Sequence, residues 1–351
     1  MTEAQRSLEH RQALLTGTGH TPLVSTWSRR AISISLYGLL FVAALATLPV
    51  TIPLALLTDL ARRRRMSTIR TLAFFLLYLG CEVAGIVASF VIWLGWGLFR
   101  PSDDPTYLRK NFDLQCWWAT TLRRGAFVLY DLSVELEGEE HTQPAPLILF
   151  ARHCSVADTM LPIMLVSAPH RTMLRWVMKQ ELLWDPCLDV VGNRLRNCFV
   201  SRMPDEGAQD VDAVATLVRD LGPSDGVVIY PEGTRFTETK RQRLLDKARD
   251  RGDTTLEKRT EALRHTLPPR LGGALALLGH NPGADVVFCA HTGLERMGTF
   301  WDLVDGRAIG NTIRIALWRI PYEQIPIATT EQIAWLHEQW RRIDDFVGAA
   351  G

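Results

Sequence analysis

LILFARHCSVAD, residues 147–158, is the stretch on which the reading of the whole chain turns. Leu147 to Phe150 is a continuous apolar run of strand length, and Ala151 and Arg152 lead from it into a turn carrying His153. Ser155 and Asp158 have the spacing of a helix capping box, so Asp158 is expected in the first turn of a helix, within hydrogen-bond reach of an exposed His153. A carboxylate on one imidazole nitrogen fixes the tautomer and raises basicity, which leaves the other nitrogen to take a proton from a hydroxyl. A turn histidine beside a helix cap would have the same spacing, so the pair alone does not define a catalytic base. Cys154 would offer a nucleophile instead, but neighbours at a strand end point apart.

Downstream, strand-like and helix-like segments alternate: Leu174 to Met178, Val211 to Leu221, then Gly226 to Tyr230. That rhythm predicts an α/β domain with a mostly parallel sheet flanked by helices, in which functional residues gather at the carboxyl ends of strands. His153 has that position. So does the turn PEGTR, where the run VVIYPEGTR ends in Glu232, Gly233, Thr234 and Arg235. Glycine allows close backbone approach, while a threonine hydroxyl, free N–H groups and an arginine fork suit an oxyanion. A surface turn with a Glu232–Arg235 ion pair fits the tetrapeptide equally well.

The net charge of +1 gives no reason to expect nucleic acid as a partner. Six scattered cysteines, with no CxxC pair or zinc-like spacing, predict a reducing compartment and no metal. His265, His280 and His291 likewise fit no metal spacing.

Upstream, residues 1–30 form a polar tail, and two long apolar stretches, 31–60 and 72–99, follow with ARRRRMSTIR between them. Each exceeds the roughly 20 residues a helix needs to cross ~30 Å of hydrocarbon, so residues 31–100 are expected as a membrane-embedded helical hairpin and 101–351 as the α/β domain. Two fully spanning helices would place the arginine loop in the cytoplasm and the large domain outside. Pro49 and Pro53 allow the first helix to bend, and a re-entrant hairpin in one leaflet would keep every part on the cytoplasmic side. After it, Tyr107 to Leu122 has the pattern of an amphipathic helix, core-facing or lying on a surface, and the alternation from Val128 to Glu137 predicts a half-buried strand. Glu331 to Val347 has an apolar face of Ile333, Leu336, Trp340, Ile343 and Val347, suited to core packing.

HCSVAD and YPEGTR together resemble the paired signatures of the glycerolipid and lysophospholipid acyltransferase family, an H-x-x-x-x-D block and an F-P-E-G-T-R-like block. Between them, KQELLWDPCLDVVGNRLRNCFVSR resembles the family's middle block, with Lys179, Glu181, Leu182, Pro186, Phe199 and Arg202 matching in order. FTETKRQRLLDKAR and LPPRLGG are similar to segments of the 1-acylglycerol-3-phosphate branch. Here, however, Gly272 stands where a basic residue is common, and VVFCA lacks the proline of the usual fourth block.

The resemblance implies acyl transfer from acyl-CoA or acyl-carrier protein to the hydroxyl of a lysophospholipid, with 1-acyl-sn-glycerol 3-phosphate the expected acceptor and phosphatidic acid the product. Another lysophospholipid or a glycolipid acceptor, or a catalytically silent lipid-binding protein, are the alternatives. It further implies His153 as base, Asp158 as its orienting partner, and Glu232, Gly233, Thr234, Arg235, Arg202 and Lys179 as acceptor-binding residues. No cofactor beyond the donor substrate is implied. Membrane phospholipids are the expected surroundings, in the inner membrane if the source is bacterial, with the catalytic domain on the cytoplasmic side.

Overall fold

The computed structural model describes residues 23–143, 146–200 and 207–350. In chain order the elements are α1 (Leu23–Arg62), α2 (Ser67–Ile92), α3 (Pro105–Tyr130), β1 (Ser133–Glu137), β2 (Leu147–Ala151), β3 (Met173–Lys179), α4 (Pro186–Val190), β4 (Cys198–Val200), α5 (Gly207–Thr216), β5 (Asp225–Ile229), α6 (Glu238–Asp250), α7 (Thr254–Glu261), α8 (Leu271–Gly279), β6 (Asp285–Thr292), α9 (Phe300–Val304), β7 (Thr312–Ile320) and α10 (Thr329–Ala350). They fall into two compact units. One comprises the described residues of Met1–Tyr130, Arg175–Ala213 and Val304–Gly306; the other comprises those of Asp131–Leu174, Val214–Leu303 and Arg307–Gly351.

In the first unit α1 and α2 form an antiparallel pair, each long and apolar enough to cross a membrane. The first helix starts at Leu23, ahead of the apolar stretch, because Arg29 and Arg30 are neutralised by the buried Asp189. It continues through Pro49 and Pro53, and the hydroxyls of Thr47, Thr51 and Thr58 donate to carbonyls one turn back, so none needs water. Between the helices Arg63, Arg65 and Met66 adopt positive φ, and Asp59 caps α2 by accepting from the N–H groups of Thr68 (2.9 Å) and Ile69 (3.0 Å).

The alternation beginning at Val128 misleads at its start: Val128 and Tyr130 are the last turn of α3, and the strand begins at Ser133. Packing against α2 extends the helix. Tyr130 is fully buried with its hydroxyl donating to Thr71 Oγ1 (3.2 Å), Arg70 donates to the Leu129 carbonyl, and Asp131 at φ 53° ends the run. β3 and β4 pair in parallel in this unit, with Val177 opposite Cys198.

The second unit is built on a mixed, mostly parallel sheet in the order β1-β7-β6-β2-β5, in which only β6 and β7 are antiparallel. The central strands β2 and β6 are buried along nearly their whole length, which is why LILFA and DVVFCAHT are apolar runs rather than alternations. Phe288 anchors the core against Phe150, Trp318 and Trp335, with ring centroids 5.4–5.5 Å apart. α10 buries Leu336, Trp340, Ile343 and Val347, the face expected from its period, with Ile333 half-buried at its start.

Candidate active site

β2 and β5 are parallel neighbours, with Phe150 opposite Ile229, so the His153 turn and the PEGTR turn leave the same edge of the sheet side by side. The main chain links them where the Phe236 N–H donates to the His153 carbonyl at 2.8 Å.

His153 sits in a tight turn leading into a 3-10 turn, Ala157–Met160, rather than a full α-helix. Its Nδ1 lies 3.0 and 3.1 Å from the two Asp158 oxygens. Asp158 is buried, and its Oδ2 also accepts from the N–H groups of Cys154 (2.7 Å) and Ser155 (2.8 Å). Ser155 Oγ in turn accepts from the Ala157 N–H at 3.2 Å rather than from that of Asp158, so of the capping box only the half in which Asp158 accepts from the Ser155 N–H is realised. A carboxylate beside Nδ1 makes that nitrogen the N–H donor. Nε2 is then the basic lone pair, and it forms no hydrogen bond with any described residue. The imidazole is only 16% exposed, less than an open turn would leave it, because the Tyr230 ring packs at 4.8 Å and the Tyr230 hydroxyl donates to the Asp158 carbonyl (3.2 Å).

The residues of PEGTR separate by direction. Glu232 faces inward and is buried, with Oε1 accepting from the His153 N–H (2.8 Å) and Oε2 from the Leu267 N–H (2.9 Å). Burial pushes its carboxyl up to about 8, against the two N–H groups and the nearby Arg152 that favour the charged form. A surface Glu232–Arg235 ion pair is therefore not what this turn contains. Gly233 stands at φ 65°, a conformation that favours glycine, and a Cβ there would come within 2.8 Å of the Arg270 side chain and displace it. Arg235 spends one nitrogen on the Gly298 carbonyl (3.0 Å), and Lys240 Nζ bridges Thr234 Oγ1 (2.9 Å) and the Arg235 carbonyl (2.8 Å). The exposed Arg270 guanidinium and the N–H groups of Thr234 and Arg235 are left without hydrogen-bond partners among the described residues. Of the other expected site residues, Lys179 ends β3 in the first unit, half-buried, and Arg202 lies outside the described residues.

Several supports were not legible from spacing. Arg152 is 1% exposed and donates to the carbonyls of His291 (2.8 Å) and His265 (3.0 Å) and to Glu295. On α10, Asp344 accepts from the N–H groups of Arg264 (2.9 Å) and His265 (2.7 Å), so the C-terminal helix holds the loop that Glu232 and Arg152 also grip. Ligand atoms of Cys154, Asp158 and His291 lie within 4.8 Å of one another, a cluster no sequence spacing shows. Protein partners account for it: Asp158 takes three N–H groups, and the His291 Nε2–H donates to the Arg152 carbonyl (2.9 Å), leaving Nδ1 toward Cys154 Sγ at 4.0 Å. Burial raises the Cys154 thiol well above its ordinary value, the reverse of what a nucleophilic thiolate needs.

Residues 133–249, which take in both turns, match the protein-family model described as Acyltransferase. The 1-acyl-sn-glycerol-3-phosphate acyltransferases delta of Homo sapiens and Pongo abelii are each 26% identical over 170 residues, covering 48% of this chain and 43% of theirs. The chain thus spans less than half the length of the curated relatives it matches. In fold it is similar to the crystal structure of the 1-acyl-sn-glycerophosphate (LPA) acyltransferase, PlsC, from Thermotoga maritima, with a TM-score of 0.51 and 14% identity over 81% of this chain and 97% of that one. Residues 133–249, with both strand-end turns, thus match an acyltransferase family model, the curated relatives are glycerolipid acyltransferases, and the fold is similar to that of PlsC.

Proposed function

We propose that the protein transfers a fatty acyl group from a thioester, acyl-CoA or acyl-carrier protein, to the hydroxyl of a lysophospholipid, with 1-acyl-sn-glycerol 3-phosphate the favoured acceptor and phosphatidic acid the product. The observation that carries this reading is His153, its Nδ1 on a buried carboxylate and its Nε2 open, beside a turn rich in unspent anion donors. His153 Nε2 takes the proton as the acceptor oxygen bonds to the thioester carbonyl carbon; the C–S bond then breaks and the thiolate recovers that proton. No acyl-enzyme and no cofactor enter the scheme. The acceptor phosphate would be held by Arg235, Arg270 and the Thr234 and Arg235 N–H groups, with Lys240 close by and Gly233 keeping the approach clear. Glu232 acts from behind, as a brace on the His153 main chain rather than as a phosphate contact.

The hairpin is best read as lying within one leaflet on the cytoplasmic side, where a water-soluble thioester arrives. α2 has polar company over most of its length. Tyr130 meets Thr71, Trp118 Nε1 donates to Glu82 (2.9 Å), and Arg194 donates to the Ser89 carbonyl (2.8 Å). From Thr71 to Ser89 is about 27 Å of helix, nearly the thickness of the hydrocarbon, so a spanning α2 would carry α3 and Arg194 through it. At the other end Ser67 Oγ donates to the Val304 carbonyl (2.7 Å) and Arg64 pairs with Asp305.

An acceptor panel tests the substrate: purified enzyme with a mixed acyl-CoA pool should acylate 1-acylglycerol 3-phosphate best, and activity confined to neutral alcohols would overturn the phosphate reading. His153→Ala should lower turnover by about 10²–10⁴-fold. Undiminished turnover would remove His153 as the base, and a wild type inert on every acceptor would leave the lipid-binding alternative.

A further inference from the structure

Within the first unit, the 3-10 turn Gln180–Trp184 and α4 are lashed to both helices of the hairpin. Asp185 accepts from the Tyr78 hydroxyl (2.9 Å), which itself pairs with Tyr37 (3.2 Å). The Cys187 N–H donates to the Glu82 carboxylate (3.3 Å). Asp189, with a side chain wholly out of water, takes a two-pronged contact from Arg29 (3.0 Å on each oxygen) and a third from Arg30 (3.2 Å). Charge-assisted bonds of this kind fix both distance and orientation, so the segment is held against α1 between the levels of Arg29 and Tyr37.

At those levels α1 exposes Ile32 and Leu36, and the docked turn lies directly against this helix. Leu183 points inward and is 1% exposed, whereas its neighbours Leu182 and Trp184 point outward and are 43% and 55% exposed. A large aliphatic and an indole held outward by a rigid turn are costly in water, and an indole suits the boundary between headgroups and hydrocarbon. The turn is also too short and too far along the chain to belong to the hairpin by sequence.

We propose that the turn Gln180–Trp184 is a second membrane contact, which inserts Leu182 and Trp184 into the lipid surface beside the hairpin. The inference rests on the reading of the hairpin as the membrane element, and its occupant is the bilayer because the turn is docked directly on that element, whose own apolar side chains are exposed beside it. The segment carrying Lys179 and the middle block of the domain is thereby tethered at the lipid surface.

Site-directed labelling tests this. Five of the six thiols are buried, so in a Cys116→Ser background an environment-sensitive fluorophore can be placed through Trp184→Cys, through Leu39→Cys on the hairpin, or through Thr239→Cys at the start of α6. In vesicles of phosphatidylcholine and phosphatidylglycerol containing doxyl-labelled lipid, the probes at 184 and 39 should be quenched and the probe at 239 should not. Quenching at 39 with none at 184 overturns the proposal and leaves the hairpin reading intact; quenching at neither overturns both. Should the labelled variant misfold, Trp184→Phe supplies the same readout. Brominated lipid should quench a smaller share of its tryptophan emission than in the wild type, and an equal share would count against insertion.

Discussion

The two turns that leave neighbouring strands β2 and β5 both bury an acid, yet they use it over different distances. Asp158 serves partners no more than five residues away: the His153 ring and the N–H groups of Cys154 and Ser155. Glu232 reaches across 79 residues to the His153 N–H and across 35 to the Leu267 N–H. The first turn is a self-contained His–Asp pair. The second is a clasp whose inward side fixes that pair in space and whose outward side carries the cations. The difference teaches that one PEGTR-like string can hold two jobs, divided by which way each side chain points.

The largest effect is expected from breaking the local half. Asp158→Asn keeps the size, but its amide NH2 cannot accept from the turn's N–H groups and no longer favours the productive tautomer. Turnover should fall by about 10³-fold, and by far more than substrate affinity changes. A loss seen only in KM would mean that Asp158 binds substrate and does not orient His153.

Breaking the long-range half comes next. Glu232→Gln should lower kcat by about 10–10²-fold with KM for the phosphate acceptor little changed, since in the proposed scheme a small displacement of the base is costly and Glu232 faces away from the phosphate. A rise in KM with kcat intact would return Glu232 to the acceptor site. The pH dependence of stability sharpens the point. Burial raises this carboxyl from 4.5 to about 8, so the folded state binds the proton more tightly than the unfolded chain. The stabilisation this provides is complete below the unfolded value and is lost as pH rises through about 8. Denaturant titrations from pH 5 to 9 should show a decline in the wild type that is flattened in Glu232→Gln, whose amide does not ionise.

How far these roles were legible follows from the same contrast. His153 and Asp158 were readable because a strand end and a five-residue spacing fix their relation locally. The convergence with PEGTR followed from the strand rhythm and is borne out by the β2–β5 register. The inward turn of Glu232 was not readable, because it depends on where the loop at Leu267 lies, and that loop is held in turn by Arg152 and by Asp344 on α10. The alternation at Val128 failed for a related reason: contacts with α2, distant in sequence, kept α3 helical for three more residues than a strand reading allows.

On the outward side, Arg270 lies over Gly233 without a protein partner among the described residues, and a charged hydrogen bond to phosphate is the interaction it can still make. Arg270→Ala should raise KM for a phosphate-bearing acceptor by about tenfold and leave kcat nearly unchanged. An unaltered KM would confine the acceptor grip to Arg235 and the main chain.

The smallest effect is expected where the sequence offers the most tempting alternative. Cys154 follows the base directly, and a thiol in that position would suit a covalent acyl-enzyme. In the structure it is 6% exposed, burial holds its proton on, and its sulfur faces His291 rather than the open nitrogen of His153. Cys154→Ala should therefore keep turnover within about threefold of the wild type, with a stability loss of about 1 kcal/mol from the small void. A thiol reagent should leave activity intact as well, since the one partly exposed cysteine, Cys116, lies on α3. A loss approaching that of His153→Ala would mean that the acyl group passes through sulfur, and the direct attack assigned to the His153–Asp158 pair would have to be abandoned.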